Sequence, residues 1–143
     1  MLFGKRKQIV KRILVVEDEP LTAFDNETLI ESAGYDVVAT RDNFADALAT
    51  LEEGQVDLIL SDVKLNGDKN GVDLAREACE RGVPVLLVTG ACPDDAAEFA
   101  VGCLMKPYTD KVLREAIKAV EEHLGGKAPR PPKGLELFPL SAG

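Results

Sequence analysis

Short apolar runs alternate with longer amphipathic segments along the chain. Five runs, near residues 13–16, 35–40, 56–60, 83–88 and 102–105, are typical of β-strands. Each run is followed by a segment with apolar residues at helical spacing, and the last of these segments spans residues 110–124. The first run is continuously apolar rather than alternating, which is typical of a strand buried on both faces of a parallel sheet.

This alternation predicts an α/β fold with a doubly wound, five-stranded parallel sheet, because right-handed crossovers place helices on both faces. The expected strand order is 2-1-3-4-5, the flavodoxin-like arrangement. Only 17 positions separate Thr89 from Lys106, so we expect a short or degenerate fourth helix. The folded domain is predicted over residues 13–124, between a basic N-terminal arm at 1–12 and a flexible, proline-rich tail at 125–143. For the apolar end of the tail, residues 135–140, a disordered end and a docking motif both remain open.

Charge and length exclude several classes of function. The formal net charge is −8, and residues 13–124 carry 24 acidic but only 9 basic side chains. Such a surface repels a phosphate backbone, so direct DNA binding is not expected. No apolar run approaches the roughly 18 residues of a membrane span. The N-terminal residues lack the apolar segment of a signal peptide.

The cysteine content favours a reducing compartment. Cys79, Cys92 and Cys103 are odd in number and show no C-x-x-C spacing, which predicts reduced thiols and a cytoplasmic location. We interpret Cys79 and Cys103 as small buried apolar residues. The single histidine, His123, falls in the last turn of the final helix and is interpreted as a complement to the helix dipole.

Polar residues follow four of the predicted strands. Glu17 and Asp18 follow the first strand, Asp62 the third, Thr89 the fourth and Lys106 the fifth. In parallel sheets, ligands bind at the carboxyl ends of the strands, so these side chains are expected to converge. Each pair of carboxylates ~5 Å apart repels by about 3 kcal/mol at an effective dielectric constant of ~20. A hard cation such as Mg²⁺ prefers carboxylate oxygens and would offset this repulsion, and the lysine adds a fixed positive charge.

A magnesium site with a lysine and a hydroxyl suits phosphoryl transfer. Asp62 is the best candidate for the attacking carboxylate because the third strand is central, and the product would be an acyl phosphate. Each of these residues alone is more often a helix cap or a turn residue. Their ordered occurrence at four strand ends is what indicates a site.

At these positions the chain resembles the receiver domains of two-component response regulators, across about residues 12–124. The segments that carry the resemblance read ILVVEDEP, LILSDVKLNGDKNG, VLLVTG and LMKPY. The resemblance implies that Asp62 accepts a phosphoryl group from a histidine kinase or a histidine phosphotransfer protein. It also implies that Asp18 binds Mg²⁺ directly and that Glu17 helps, often through water. Lys64 would offer its backbone carbonyl to the metal, and the phosphoryl oxygens would be held by Thr89 and Lys106.

The sequence departs from the common receiver pattern at two places. Asn66 stands where many receivers have proline, and Gly71 lies nine residues past Asp62, so the loop is one residue longer. Cys103 occupies the position of the usual switch aromatic, three residues before the lysine, which puts a coupled threonine–aromatic switch in doubt.

The resemblance predicts a stand-alone receiver that acts through protein–protein contacts or as a phosphate sink, rather than an enzyme that turns over a separate substrate. One alternative is a pseudo-receiver that binds partners without phosphorylation. Another is a Mg²⁺-dependent, haloacid-dehalogenase-like phosphatase, although those enzymes place the nucleophile after the first strand. A short fourth helix removes part of a pairing surface, so we expect a monomer or a weak homodimer.

Overall fold

The computed structural model describes residues 9–140 of the 143-residue chain. These residues form six strands and four α-helices. In chain order they are β1 (Arg12–Val16), α1 (Pro20–Ser32), β2 (Asp36–Arg41), α2 (Phe44–Glu53), β3 (Leu58–Asp62), α3 (Gly71–Glu80), β4 (Val85–Thr89), β5 (Gly102–Met105), α4 (Asp110–Leu124) and β6 (Leu135–Leu137).

The sheet has the order β2-β1-β3-β4-β5-β6. The first five strands are parallel and follow the predicted flavodoxin-like order, which confirms the fold class. The sixth strand was not expected. It pairs antiparallel with β5, with Leu135 opposite Leu104 and Leu137 opposite Gly102.

The apolar runs form strands because both faces of the sheet are covered. Along β1, Ile13 and Val15 point into a core shared with α1 and α4, whereas Leu14 and Val16 point into a core shared with α2 and α3. All four side chains are buried, as are all five residues of β3. These strands are therefore apolar at consecutive positions, because each face of the sheet packs against a separate core.

Local capping fixes where the helices begin. Asn43 caps α2, Thr109 caps α4, and Asn70 forms a capping box with Asp73 at the start of α3. At the start of α1, the Glu19 side chain accepts hydrogen bonds from two backbone amides. These starts lie at the carboxyl edge of the sheet, so the caps also fix the loops that surround the predicted site.

The connection between β4 and β5 contains one turn of 3-10 helix, Ala96–Glu98, in place of a full helix. This agrees with the predicted degenerate fourth helix. A disulfide joins Cys92 to Cys103 across this connection, so the prediction of three reduced thiols is wrong here. Cys103 is fully buried as predicted, but Cys79 is exposed on α3, where the helix surface faces solvent.

The C-terminal segment is part of the fold. Leu135 and Phe138 are buried, and the amide of Phe138 donates to the carbonyl of Val101, so residues 135–138 are not the flexible tail that the sequence predicts. The His123 ring nitrogen Nε2 lies 2.6 Å from the Phe138 carbonyl oxygen, a tertiary contact in addition to any effect on the helix dipole. A Cβ atom on Gly102 would lie 2.8 Å from the carbonyl oxygen of Glu136, so only glycine allows this close approach.

The chain ends were predicted as an arm and a tail, and the structure describes part of each. Residues 1–8 of the predicted basic arm lie outside the described residues. Val10 is fully buried and its amide donates to Glu121, so the arm does not extend to residue 12. Within residues 9–140, no helix combines the length and the apolar character needed to cross a membrane.

Packing of the C-terminal segment can be tested by truncating Phe138. We expect Phe138→Ala to lower the free energy of unfolding by about 3 kcal/mol, the usual loss for a buried phenylalanine. Leu140→Ala is the matched control, because Leu140 is 45% exposed and its loss should cost less than about 0.5 kcal/mol. Urea unfolding measures both, and equally small effects would show that the segment is not packed as described.

Candidate functional site

The predicted site residues meet at the carboxyl edge of the sheet. Glu17 and Asp18 directly follow β1, Asp62 ends β3, Thr89 ends β4, and Lys106 directly follows β5. Adjacent parallel strands end side by side, which brings together residues far apart in sequence.

Three carboxylates form the centre of the site. Glu17, Asp18 and Asp62 each place a carboxylate oxygen within 4.8 Å of the others. Glu17 and Asp62 are buried, whereas Asp18 is half-buried. Within the part of the chain that the structure describes, this is the cluster of acidic, histidine or cysteine side chains whose spacing fits a metal ion.

Lys106 neutralises part of this charge. Its Nζ atom lies 2.8 Å from Asp62 Oδ2 and 3.7 Å from Glu17 Oε1. Partial burial lowers the pKa of Lys106, but the hydrogen bond to Asp62 and the attraction of Glu17 outweigh it, and the pKa lies above its ordinary value. Lys106 therefore remains charged, and it contacts one carboxylate directly after β1 and another at the end of β3.

The surroundings of Glu17 disfavour the ionised form of its carboxyl group. Burial, the largest cause, and the negative charge of Asp62 raise its pKa, the hydrogen bond from the Glu19 amide and the charge of Lys106 lower it, and the net result is a pKa of about 7. Lys106 alone therefore does not offset the burial of Glu17, and a further cation beside this carboxylate would favour its ionised form.

Thr89 and Lys64 lie at the rim of the cluster. The Thr89 hydroxyl is 3.2 Å from both the amide and the carbonyl of Ala91, so it is directed into its own loop. The backbone nitrogen of Lys64 lies 3.4 Å from Asp62 Oδ1, a contact of its amide rather than of the carbonyl expected to face a metal. The structure thus brings Glu17, Asp18, Asp62 and Lys106 into one group, with the Thr89 hydroxyl turned away from it.

Known proteins resemble this chain over most of its length. The family model of the response regulator receiver domain matches residues 13–118. The chain belongs to this family. Chemotaxis protein CheY of Pseudomonas aeruginosa is 33% identical over 124 residues, which cover 80% of this chain and 99% of CheY. Other curated relatives are longer, and this chain covers 56% or 50% of their length.

Solved structures of receiver proteins superimpose closely. A CheY-like receiver domain protein from Methanospirillum hungatei has a TM-score of 0.71 at 28% identity, over 82% of this chain and 98% of that chain. SdrG from Sphingomonas melonis has a TM-score of 0.67 at 30% identity, over 80% of this chain and 98% of that chain. Receiver domains belong to two-component systems, generally as signalling proteins rather than enzymes, and in general work with histidine kinases. They typically bind Mg²⁺ in an acidic pocket.

Gly71 shapes this receiver site, whereas the sequence indicates only that it lies nine residues past Asp62, after a loop one residue longer than in the common pattern. A Cβ atom at this position would overlap the carbonyl oxygen of Asp62 and lie 2.9 Å from the Cα atom of Val63. The Gly71 amide also donates to the Val63 carbonyl at 2.7 Å. The first turn of α3 therefore packs directly on the backbone of the Asp62 segment. The sequence signal for this close packing is a glycine at the start of a helix, directly after a polar loop.

We expect Gly71→Ala to lower the free energy of unfolding by about 2 kcal/mol, because the added methyl group must displace the backbone around Asp62. Gly90→Ala is the control, since a Cβ atom there would meet nothing within 4 Å. Urea unfolding of both variants measures the difference. If both substitutions have the same effect, α3 is not packed against this backbone as described.

The raised pKa of Glu17 predicts how metal-free stability depends on pH. The folded protein holds a proton on Glu17 up to about pH 7, whereas the unfolded chain releases it near pH 4.5. Wild-type stability is therefore lost as pH rises through this window. At pH 8 with a chelator, we expect Glu17→Gln to raise the free energy of unfolding by on the order of 2 kcal/mol, with little gain at pH 5.

Urea unfolding at the two pH values measures this gain, and Glu53→Gln, at an exposed position on α2, is the control. An equal gain from Glu17→Gln at both pH values would contradict the assigned electrostatics of the site.

Proposed function

We propose that this receiver accepts a phosphoryl group on Asp62 from a phosphohistidine of a histidine kinase or histidine phosphotransfer protein. The observation that carries the proposal is the contact of Asp62 with Lys106 at 2.8 Å, beside the carboxylates of Glu17 and Asp18. A buried carboxylate held by a lysine at a strand end is positioned as a nucleophile, with a cation already beside the oxygen that will react.

The donor set fits Mg²⁺. Three carboxylates with oxygen atoms within 4.8 Å of one another supply the ligands that this ion prefers, and a cation among them would lower the raised pKa of Glu17. Glu17, Asp18 and Asp62 would hold the ion, together with the backbone carbonyl of Lys64. When bound, Mg²⁺ supplies positive charge that offsets the charge developing on the transferred phosphoryl oxygens.

Three side chains have distinct roles in the phosphoryl transfer. An oxygen of Asp62 forms a bond to phosphorus as the phosphorus–nitrogen bond of the phosphohistidine breaks, and the departing imidazole keeps the electron pair of that bond. Lys106, which contacts Asp62 in the unmodified protein, forms an ion pair with a phosphoryl oxygen. The Thr89 hydroxyl turns from Ala91 to donate to another phosphoryl oxygen, so phosphorylation rearranges the loop after β4.

The output of this receiver would be a protein–protein contact, or removal of phosphoryl groups from a kinase as a phosphate sink. The excess of acidic side chains over residues 13–124 opposes direct DNA binding. The proposed setting is the cytoplasm, and the proposed unmodified form is a monomer or a weak homodimer. Because the acidic pair, the acceptor aspartate, the threonine and the lysine of the receiver pattern are all present, we favour phosphorylation over a pseudo-receiver role.

Asp62→Asn tests the phosphoacceptor. With acetyl phosphate and Mg²⁺, we expect wild type to gain one phosphoryl group by intact mass, and Asp62→Asn to gain none because the amide cannot form the acyl phosphate. Asp68→Asn, at an exposed position in the loop after β3, should be labelled like wild type.

Labelling of Asp62→Asn to the wild-type level would place the acceptor elsewhere. Failure of wild type to accept a phosphoryl group, both here and from a panel of phosphorylated histidine kinases, would instead support the pseudo-receiver.

A further inference from the structure

The disulfide between Cys92 and Cys103 spans the two segments that deliver Thr89 and Lys106 to the site. Cys92 lies three residues after Thr89, and Cys103 lies three residues before Lys106. The bond therefore ties the loop after β4 to β5 close to both polar side chains.

Residues beside the disulfide contact or directly precede residues of the site. Cys92 Sγ lies 3.6 Å from Met105 Sδ, and Met105 directly precedes Lys106. On the other side, the Ala91 backbone next to Cys92 exchanges hydrogen bonds with the Thr89 hydroxyl at 3.2 Å. In this structure the disulfide is closed and the Thr89 hydroxyl faces Ala91.

The two cysteine residues differ in exposure. Cys103 is fully buried in the core on the α2–α3 side of the sheet, and Glu136 of β6 pairs opposite it. Cys92 is half-buried in the loop, and its neighbour Met105 is 39% exposed. An external thiol can therefore approach the bond at Cys92, which leaves Cys103 as the departing sulfur.

We propose that Cys92 and Cys103 form a reversible redox pair that controls the mobility of the Thr89 loop and, through it, the response of the receiver site. A thiolate of a small thiol attacks Cys92 Sγ, the sulfur–sulfur bond breaks, and Cys103 leaves with the electron pair and takes a proton. A second molecule of the thiol then attacks the mixed disulfide and releases Cys92. Two thiols are oxidised to one small disulfide as the protein bond is reduced, and the reverse reaction closes it.

The reduced form is the responsive one. Opening the bond removes the covalent closure of the loop between Cys92 and Cys103 and lets the Thr89 segment sample more conformations. A ligand that needs Thr89 turned toward Asp62 then binds with a smaller conformational cost. This consequence rests on the proposed function, whereas the redox chemistry and the loop mobility do not.

The redox pair is tested first without any phosphoryl chemistry. The full chain carrying Cys79→Ala, which removes the exposed third thiol, is equilibrated in mixtures of reduced and oxidised glutathione, and its free thiols are trapped and counted by mass. We expect two thiols to appear and disappear together and reversibly while the protein stays folded. A bond that forms or opens only on unfolding would overturn the proposal.

Hydrogen exchange then measures the loop. We expect peptides covering residues 88–104 to exchange about threefold faster or more in the reduced protein, with peptides of α1 and α2 unchanged. The Cys92→Ala variant in the Cys79→Ala background should match the reduced form in both glutathione mixtures. Equal exchange of this region in the oxidised and reduced proteins would overturn control of the loop.

Binding of beryllofluoride with Mg²⁺ completes the test. We expect the reduced protein to bind about threefold more tightly or better than the oxidised protein, and Cys92→Ala to bind like the reduced form in either mixture. Equal affinities would overturn the coupling to the site. Absence of binding in both states would overturn the proposed function together with the coupling, while the thiol counts and the exchange data would still decide the redox pair.

Discussion

The ion pair of Lys106 with Asp62 and Glu17 is the interaction on which the arrangement of this receiver site depends. Two buried carboxylates and a third, half-buried one would repel one another if no cation lay among them. Lys106 reaches this group from the end of β5, across the end of β4, and so connects strands that do not pair with each other. The parallel sheet makes this reach possible, because it ends its strands along one edge.

The site combines a rigid half with a movable half. Asp62 belongs to β3, whose five residues are all buried, and α3 packs on its backbone so closely that Gly71 has room for no side chain. Thr89 begins a loop with one short helical turn, and its hydroxyl is satisfied by the adjacent backbone of Ala91. The proposed nucleophile, Asp62, is thus fixed by packing, whereas the position of the Thr89 hydroxyl depends on the conformation of a loop.

The sequence predicts the sheet and the rigid half of the site well, because both follow simple rules. Continuous apolar runs require strands buried on both faces, and parallel strands gather the residues at their ends, which is why Glu17, Asp18, Asp62 and Lys106 could be grouped in advance. The strand β6 escaped prediction because it has three residues, follows a proline-rich segment, and is stabilised by partners on β5 rather than by its own pattern. The disulfide escaped because the odd number of cysteines and their spacing favoured reduced thiols, and only the fold brings Cys92 and Cys103 together.

The strand β5 is where the site, the disulfide and the C-terminal segment meet. Its carboxyl end leads into Lys106, Cys103 binds it covalently to the loop after Thr89, and its outer edge pairs with β6. Residues 90–101 connect β4 to β5 with one turn of 3-10 helix, and the disulfide ties this connection to β5. The edge that β5 would otherwise expose is covered by the chain's own residues 135–137. A protein that approaches this side of the sheet therefore meets the C-terminal segment first, and any displacement of β5 changes the surface that it meets.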